Sequence, residues 1–167
     1  MSILKEHLEK YGSYNLWANN ALAVTLSLLP EDLFITEQKS SFRTIKETVM
    51  HMFDAETIWY KRLNGVSPDE WPSKGIKCTG REAVSLLLEA SGNLAKQTAS
   101  LNENAEGTKC RFRSLDGKEQ EIRISDILQH CFNHSTFHRG QLITMLRFCG
   151  VEKLPPTDYI TFIRNFG

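Results

Sequence analysis

Apolar side chains recur every three to four residues along most of this chain, the period of helices that pack through one face. Leu4, Leu8, Tyr11, Tyr14, Trp17, Ala18, Ala21, Val24 and Leu28 form one such stripe. They predict a first helix over residues 2–29, weakened at Gly12 and ended by Pro30. The next stripe is Ile45, Val49, Met52, Trp59, Tyr60 and Leu63. It opens at Thr44 with Glu47 three residues on, the pattern of a capping box, and stops at Asn64-Gly65. Residues 65–78 hold Pro68, Pro72 and Gly75 and predict a loop. A second capping box, Thr79 with Glu82, opens a third helix that reaches about Leu101.

The pattern then changes. KCRFRSLDGKEQEIRI, residues 109–124, alternates in part on both sides of Asp116-Gly117, as a short β-hairpin does. Ser125 is expected to cap a fourth long helix ending at Gly150, and TDYITFIRNF predicts a short helix or an extended cover. The expected fold is all-α: a four-helix bundle with a short β-hairpin before the last long helix, one domain over residues 1–167. The linkers after the first and third helices are long enough to cross the bundle, so the pattern leaves the topology open.

Charge narrows the partners. Twenty Lys and Arg balance twenty Asp and Glu, leaving no excess to neutralise phosphates, so nucleic acid is not an expected partner. The most apolar stretch, ALAVTLSLLP at 21–30, is too short to span a bilayer, so no membrane partner is expected either. The N-terminal MSILKEHLEKYG mixes charges with leucines and does not read as a signal peptide, which points to a cytoplasmic protein. Cys78, Cys110, Cys131 and Cys149 have no CxxC spacing and are expected to be free thiols.

The chemistry concentrates in HCFNHSTFHRGQL, residues 130–142. His134 and His138 lie one helical turn apart, on the side that also carries Ile127, Cys131, Leu142 and Met145, so they face the bundle interior. Two imidazoles at this spacing can share one divalent metal, and a third ligand would complete a site with an open position. His51 is the best candidate. It lies off the main stripe of the second helix, on a smaller apolar strip with Thr48, Ala55 and Ile58. His7, near a charged terminus, is expected to be exposed. Neither HExxH nor Glu-x-x-His occurs, which argues against a metalloprotease and a carboxylate-bridged di-iron centre. What remains is a mononuclear histidine site suited to zinc, nickel, iron or copper. Asp54 falls on the polar arc of its helix with Glu47 and Lys61 and reads as a solvated carboxylate, and no general acid or base stands out.

These residues resemble the DinB family, also described as YfiT-like metalloenzymes. The likeness rests on YNLWANN at 14–20, the mid-helix His51, the DG-containing hairpin, the HCFNHSTFHRGQL run and the closing DYITFI, and so spans the whole chain. It implies a four-helix bundle, usually a homodimer, that binds a divalent metal, zinc or nickel foremost, through His51, His134 and His138. Many members carry a second histidine directly before HRGQ, where this chain has Phe137. His130 is expected to support the ligands rather than bind metal. Gln141 is placed to hydrogen-bond a ligand's free ring nitrogen, whereas Arg139 points elsewhere, toward the surface or an interface.

The resemblance also implies a metal-dependent enzyme acting on a small molecule. Relatives include transferases and isomerases that use a low-molecular-weight thiol, so a thiol S-transferase is the leading expectation, with such a thiol as cosubstrate. The alternatives are a metal-dependent hydrolase and a non-enzymatic stress-response or binding bundle with a structural metal. The family name refers to DNA-damage induction and implies no contact with DNA.

Overall fold

A computed structural model of the chain describes residues 2–102 and 104–166. The long helices are α1 (Ile3–Ser27), α3 (Ile45–Leu63), α4 (Gly80–Ala99) and α5 (Ile124–Phe148). A single turn, α2 (Glu31–Phe34), follows Pro30, and the closing segment is a helix, α6 (Tyr159–Phe166). The hairpin pairs β1 (Lys109–Arg113) with β2 (Glu119–Arg123), Phe112 opposite Gln120, and Gly117 takes the left-handed turn position at φ +85°. Phe112 is the buried residue of this ribbon.

Local chemistry sets the helix ends. At α4 the capping box is complete: Thr79 Oγ1 accepts from the Glu82 N–H, and the Glu82 carboxylate accepts from the Thr79 N–H. At α3 only half of it forms. Thr44 Oγ1 accepts from Glu47 N–H, but the Glu47 carboxylate reaches one residue further back, to the Arg43 N–H. Ser125 does not cap α5, contrary to expectation. The helix starts two residues earlier than a Ser125 cap would set it, at Ile124 straight out of β2, where the Ile124 N–H donates to the Thr108 carbonyl at 2.9 Å. The hairpin thus supplies the partner that a side-chain cap would have provided.

Around the bundle the helices are ordered α1, α4, α3, α5. Asn19 meets Ser91 and Ser27 meets Arg81, so α1 and α4 are antiparallel. Glu56 meets Ser91 and Asn64 meets Gln97, so α3 and α4 run parallel. Tyr11 packs near Phe132, and Asn15 and Asn19 near Arg139, so α1 and α5 run parallel as well. The chain therefore goes up, down, down, up. Two successive helices in one direction need a connection that returns along the bundle, and residues 64–79 make that return.

Two large apolar clusters fill the interior, and a smaller one of Tyr14, Ala18 and Phe162 seats α6 on α1. Of the large ones, one joins Leu22, Leu26, Phe34, Ile45, Met52 and Leu142; the other joins Leu8, Leu94, Leu128, Cys131 and Phe132. Gly12 sits at a close approach of α1 to α4: a Cβ there would lie 2.2 Å from Thr98 Oγ1. Between the clusters lies a polar layer. Glu56, fully buried, accepts from Asn15 (2.8 Å), Asn19 (3.1 Å), Ser135 (2.8 Å) and Ser91 (2.6 Å). Arg139 does not face the surface as expected. It is 2 % exposed, donates to the Asn15 and Asn19 carbonyls and to Thr136 Oγ1, and lies over the Tyr14 ring. YNLWANN and HRGQ thus meet in one network, in which two amides carry the interaction from a buried carboxylate to a buried guanidinium.

Candidate metal centre

The three candidate ligands come from two antiparallel helices. His134 and His138 stand one turn apart on α5, on the stripe that buries Ile127, Cys131, Leu142 and Met145. His51, half-buried, faces them from α3, on the strip where Thr48, Ala55 and Ile58 are buried. The Nε2 atom of His134 lies 2.9 Å from that of His51 and 3.1 Å from that of His138. Nitrogens about 2.0–2.1 Å from a common ion stand about 3–3.4 Å apart, so each of these two pairs suits a shared divalent cation, and the three donor atoms all lie within 4.8 Å of one another. Among the described residues no thiol or carboxylate joins this cluster.

The surroundings prepare the imidazoles for that role. Burial, reinforced by the neighbouring rings, brings His51 and His134 down to about 4, so both are neutral near pH 7. Burial also lowers His138, while its bond to Gln141 works against that shift. Gln141 Oε1 lies 2.7 Å from His138 Nδ1, and its own amide donates to Ser41 Oγ at 3.0 Å. With Gln141 held in this orientation, the His138 proton belongs on Nδ1, which leaves the Nε2 lone pair toward the cluster.

His130 stays outside the cluster. It is exposed, its ring centre 6.0 Å from that of His134 and edge-on to Trp59 at 5.7 Å. His7 is exposed as expected. The four cysteines are free, and Cys131 packs in the apolar cluster, where burial pushes its thiol well above the ordinary value.

An open cleft of about 460 Å³ leads to the cluster, lined by Phe42, Glu47, Met50, His51, Asp54, Trp71 and Ser73. Phe42 stacks on His51 with ring centres 4.3 Å apart, and Trp71 stands edge-on to it at 6.4 Å. Asp54 corrects the sequence reading. It is 7 % exposed rather than solvated, and its two oxygens accept from Ser73 N–H and Oγ, each at 2.6 Å. Burial raises its pKa and the Ser73 bonds oppose the rise. The cause is the returning loop: residues 64–79 cover the arc of α3 that helix periodicity assigns to solvent.

Phe42, Trp71 and Ser73 carried no signal in the sequence, because loop residues have no period. Glu56 and Arg139 did. Glu56 continues the Val49–Met52 stripe, and Arg139 lies in the series Leu128, Phe132, Ser135, Leu142, Leu146, so each is a charge at a core position.

Relatives agree with this architecture. Protein DinB of Bacillus subtilis (strain 168) is 26 % identical over 164 residues, covering 90 % of each chain. A solved structure, YfiT from Bacillus subtilis, superposes with a TM-score of 0.67 at 18 % identity, covering 90 % of this chain and 91 % of that one. It is described as a probable metal-dependent hydrolase with an unusual four-helix bundle topology. A sequence profile of the DinB family matches residues 4–165, and this chain belongs to that family.

Proposed function

We propose that this chain is a metal-dependent enzyme in which His51, His134 and His138 hold one divalent ion, zinc or nickel, and a small thiol is the nucleophile of an S-transfer reaction. The convergence of three neutral imidazoles on one point beside an open cleft supports this reading. An ion held there by neutral ligands would keep its charge and lower the pKa of a thiol or water that reaches it. The chain's own residues do the rest. Burial keeps the imidazoles unprotonated, Gln141 orients His138, and Phe42 and Trp71 give the cleft an apolar wall beside His51. The description of YfiT favours a second reading, hydrolysis at the same site. Asp54, the buried carboxylate in the cleft, is then the group placed to accept a proton from water. A homodimer is part of the proposal, with Val24 and Leu28 exposed on α1 as contact candidates; a monomer by light scattering at micromolar concentration would remove it.

Elemental analysis of the wild type beside single His→Ala variants tests the site. About one ion per chain is expected, lost in His51→Ala, His134→Ala and His138→Ala and kept in His130→Ala. Undiminished metal in His51→Ala would sink the three-ligand site. Cobalt substitution then separates the two chemistries. An intense charge-transfer band near the ultraviolet should appear only when an external thiol is added, and persist in Cys131→Ser. A thiolate band in untreated protein that vanishes in Cys131→Ser would mean a closed site and end the transferase reading.

A further inference from the structure

Arg62, in the last turn of α3, is 7 % exposed, yet no hydrogen bond or ion pair reaches its guanidinium among the described residues. Arg139, deeper still at 2 % exposed, makes three. The Arg62 Nε is fully covered and unpaired. Its guanidinium carbon lies 4.7 Å from the Trp59 ring centre and 4.5 Å from that of Phe112. Those two rings stand at 85° to each other, so the cation fills the corner between them. Aromatic faces attract the charge but accept none of the N–H groups, which radiate in the guanidinium plane. With Nε covered and the two rings at right angles, one ring lies against the guanidinium edge, and the terminal N–H groups that face neither ring are complementary to two oxygens of one anion.

The position adds to this. Arg62 follows His51 by eleven residues, three helical turns, and returns to within about 20° of the same face. Between them the Trp59 ring meets the exposed His130, and His130 lies beside His134. The returning loop closes the far side, where Ser67 Oγ accepts from the Arg113 N–H of the hairpin.

We propose that the corner formed by Trp59, Arg62 and Phe112 is an oxyanion subsite for the carboxylate, sulfate or phosphate group of a small molecule. Joined to the metal reading, on which this extension alone rests, it makes the substrate an anion whose oxyanion end is anchored about 16 Å of helix rise from the imidazoles.

Thermal melting of metal-stripped protein with sodium sulfate at about 10 mM, ionic strength matched with sodium chloride, tests the subsite where general salting effects are small. Tm should rise by about 4 °C at ten times the dissociation constant and continue logarithmically. Arg62→Met should lose the rise, and Arg62→Lys, which keeps the charge without the fork, should show a smaller one. His51→Ala should show the full rise, so failure of the metal site leaves this measurement readable. Wild type melting no higher in sulfate than in chloride overturns the subsite. So does an equal rise in Arg62→Met or Arg62→Lys, or its loss in His51→Ala, which would put the anion at the imidazoles.

Discussion

Removing Glu56 tests the polar layer most directly. Its carboxylate is completely buried and is the acceptor for four side-chain donors, from Asn15, Asn19, Ser91 and Ser135. The Asn15 and Asn19 carbonyls in turn accept from Arg139, at 2.6 and 3.1 Å. Glu56→Ala leaves the Asn15 and Ser135 donors without their acceptor and strands a buried guanidinium without its counter-charge. Breaking one side of such a buried arrangement costs about 3–5 kcal/mol. In a chain of 167 residues that corresponds to a fall in Tm of about 10 °C. Glu56→Gln is the finer probe. Its NH2 can face Ser91, whose hydroxyl already has the Leu87 carbonyl at 2.9 Å as an alternative acceptor for its proton. Shape is then kept and only charge is lost, at a cost of about 1–3 kcal/mol. Urea unfolding with fitted m-values measures both. A Glu56→Ala cost below about 1 kcal/mol, or equal costs for Ala and Gln, would refute the claim that an anion is what this layer is built around.

Gly12→Ala should destabilise by about 1–3 kcal/mol, because its Cβ would meet Thr98 Oγ1 at 2.2 Å, and Thr98→Ala in the same chain should recover part of the loss. Full stability of Gly12→Ala in urea would mean that α1 and α4 do not need this close approach. Gln141→Ala should weaken metal affinity by about 10–100-fold in a chelator competition while leaving the circular dichroism unchanged; unaltered affinity would show that the His138 ring needs no help from Gln141. Metal-stripped protein should lose stability on acidification. His51 and His134 sit near 4 in the folded chain, below their ordinary value, so the unfolded chain binds more protons between about 6.5 and 4. Their contribution is complete above that window and lost as pH falls through it, and His51→Ala should flatten the slope. A slope unchanged by His51→Ala would place the effect elsewhere.

Helix extents were legible in the sequence because their causes are local: apolar period, Thr–Glu caps, Pro30, Asn64-Gly65. The pairing of His134 with His138 was legible for the same reason, since four residues make one turn. Arg139 was misplaced although its stripe is regular, because a charge belongs in a core only when partners arrive from other helices. Here Asn15 and Asn19 come from α1, and through them Glu56 from α3. Asp54 was misplaced because a helix's periodicity records its own faces and says nothing of a loop laid over one of them. That loop exists because α3 and α4 run parallel, a choice made by how four helices bury their stripes together. Sequence alone determined the helices and two imidazoles on one face. Tertiary packing brought His51 to them and laid Trp71 and Ser73 over the cleft, because helix direction and long-range contact have no local code.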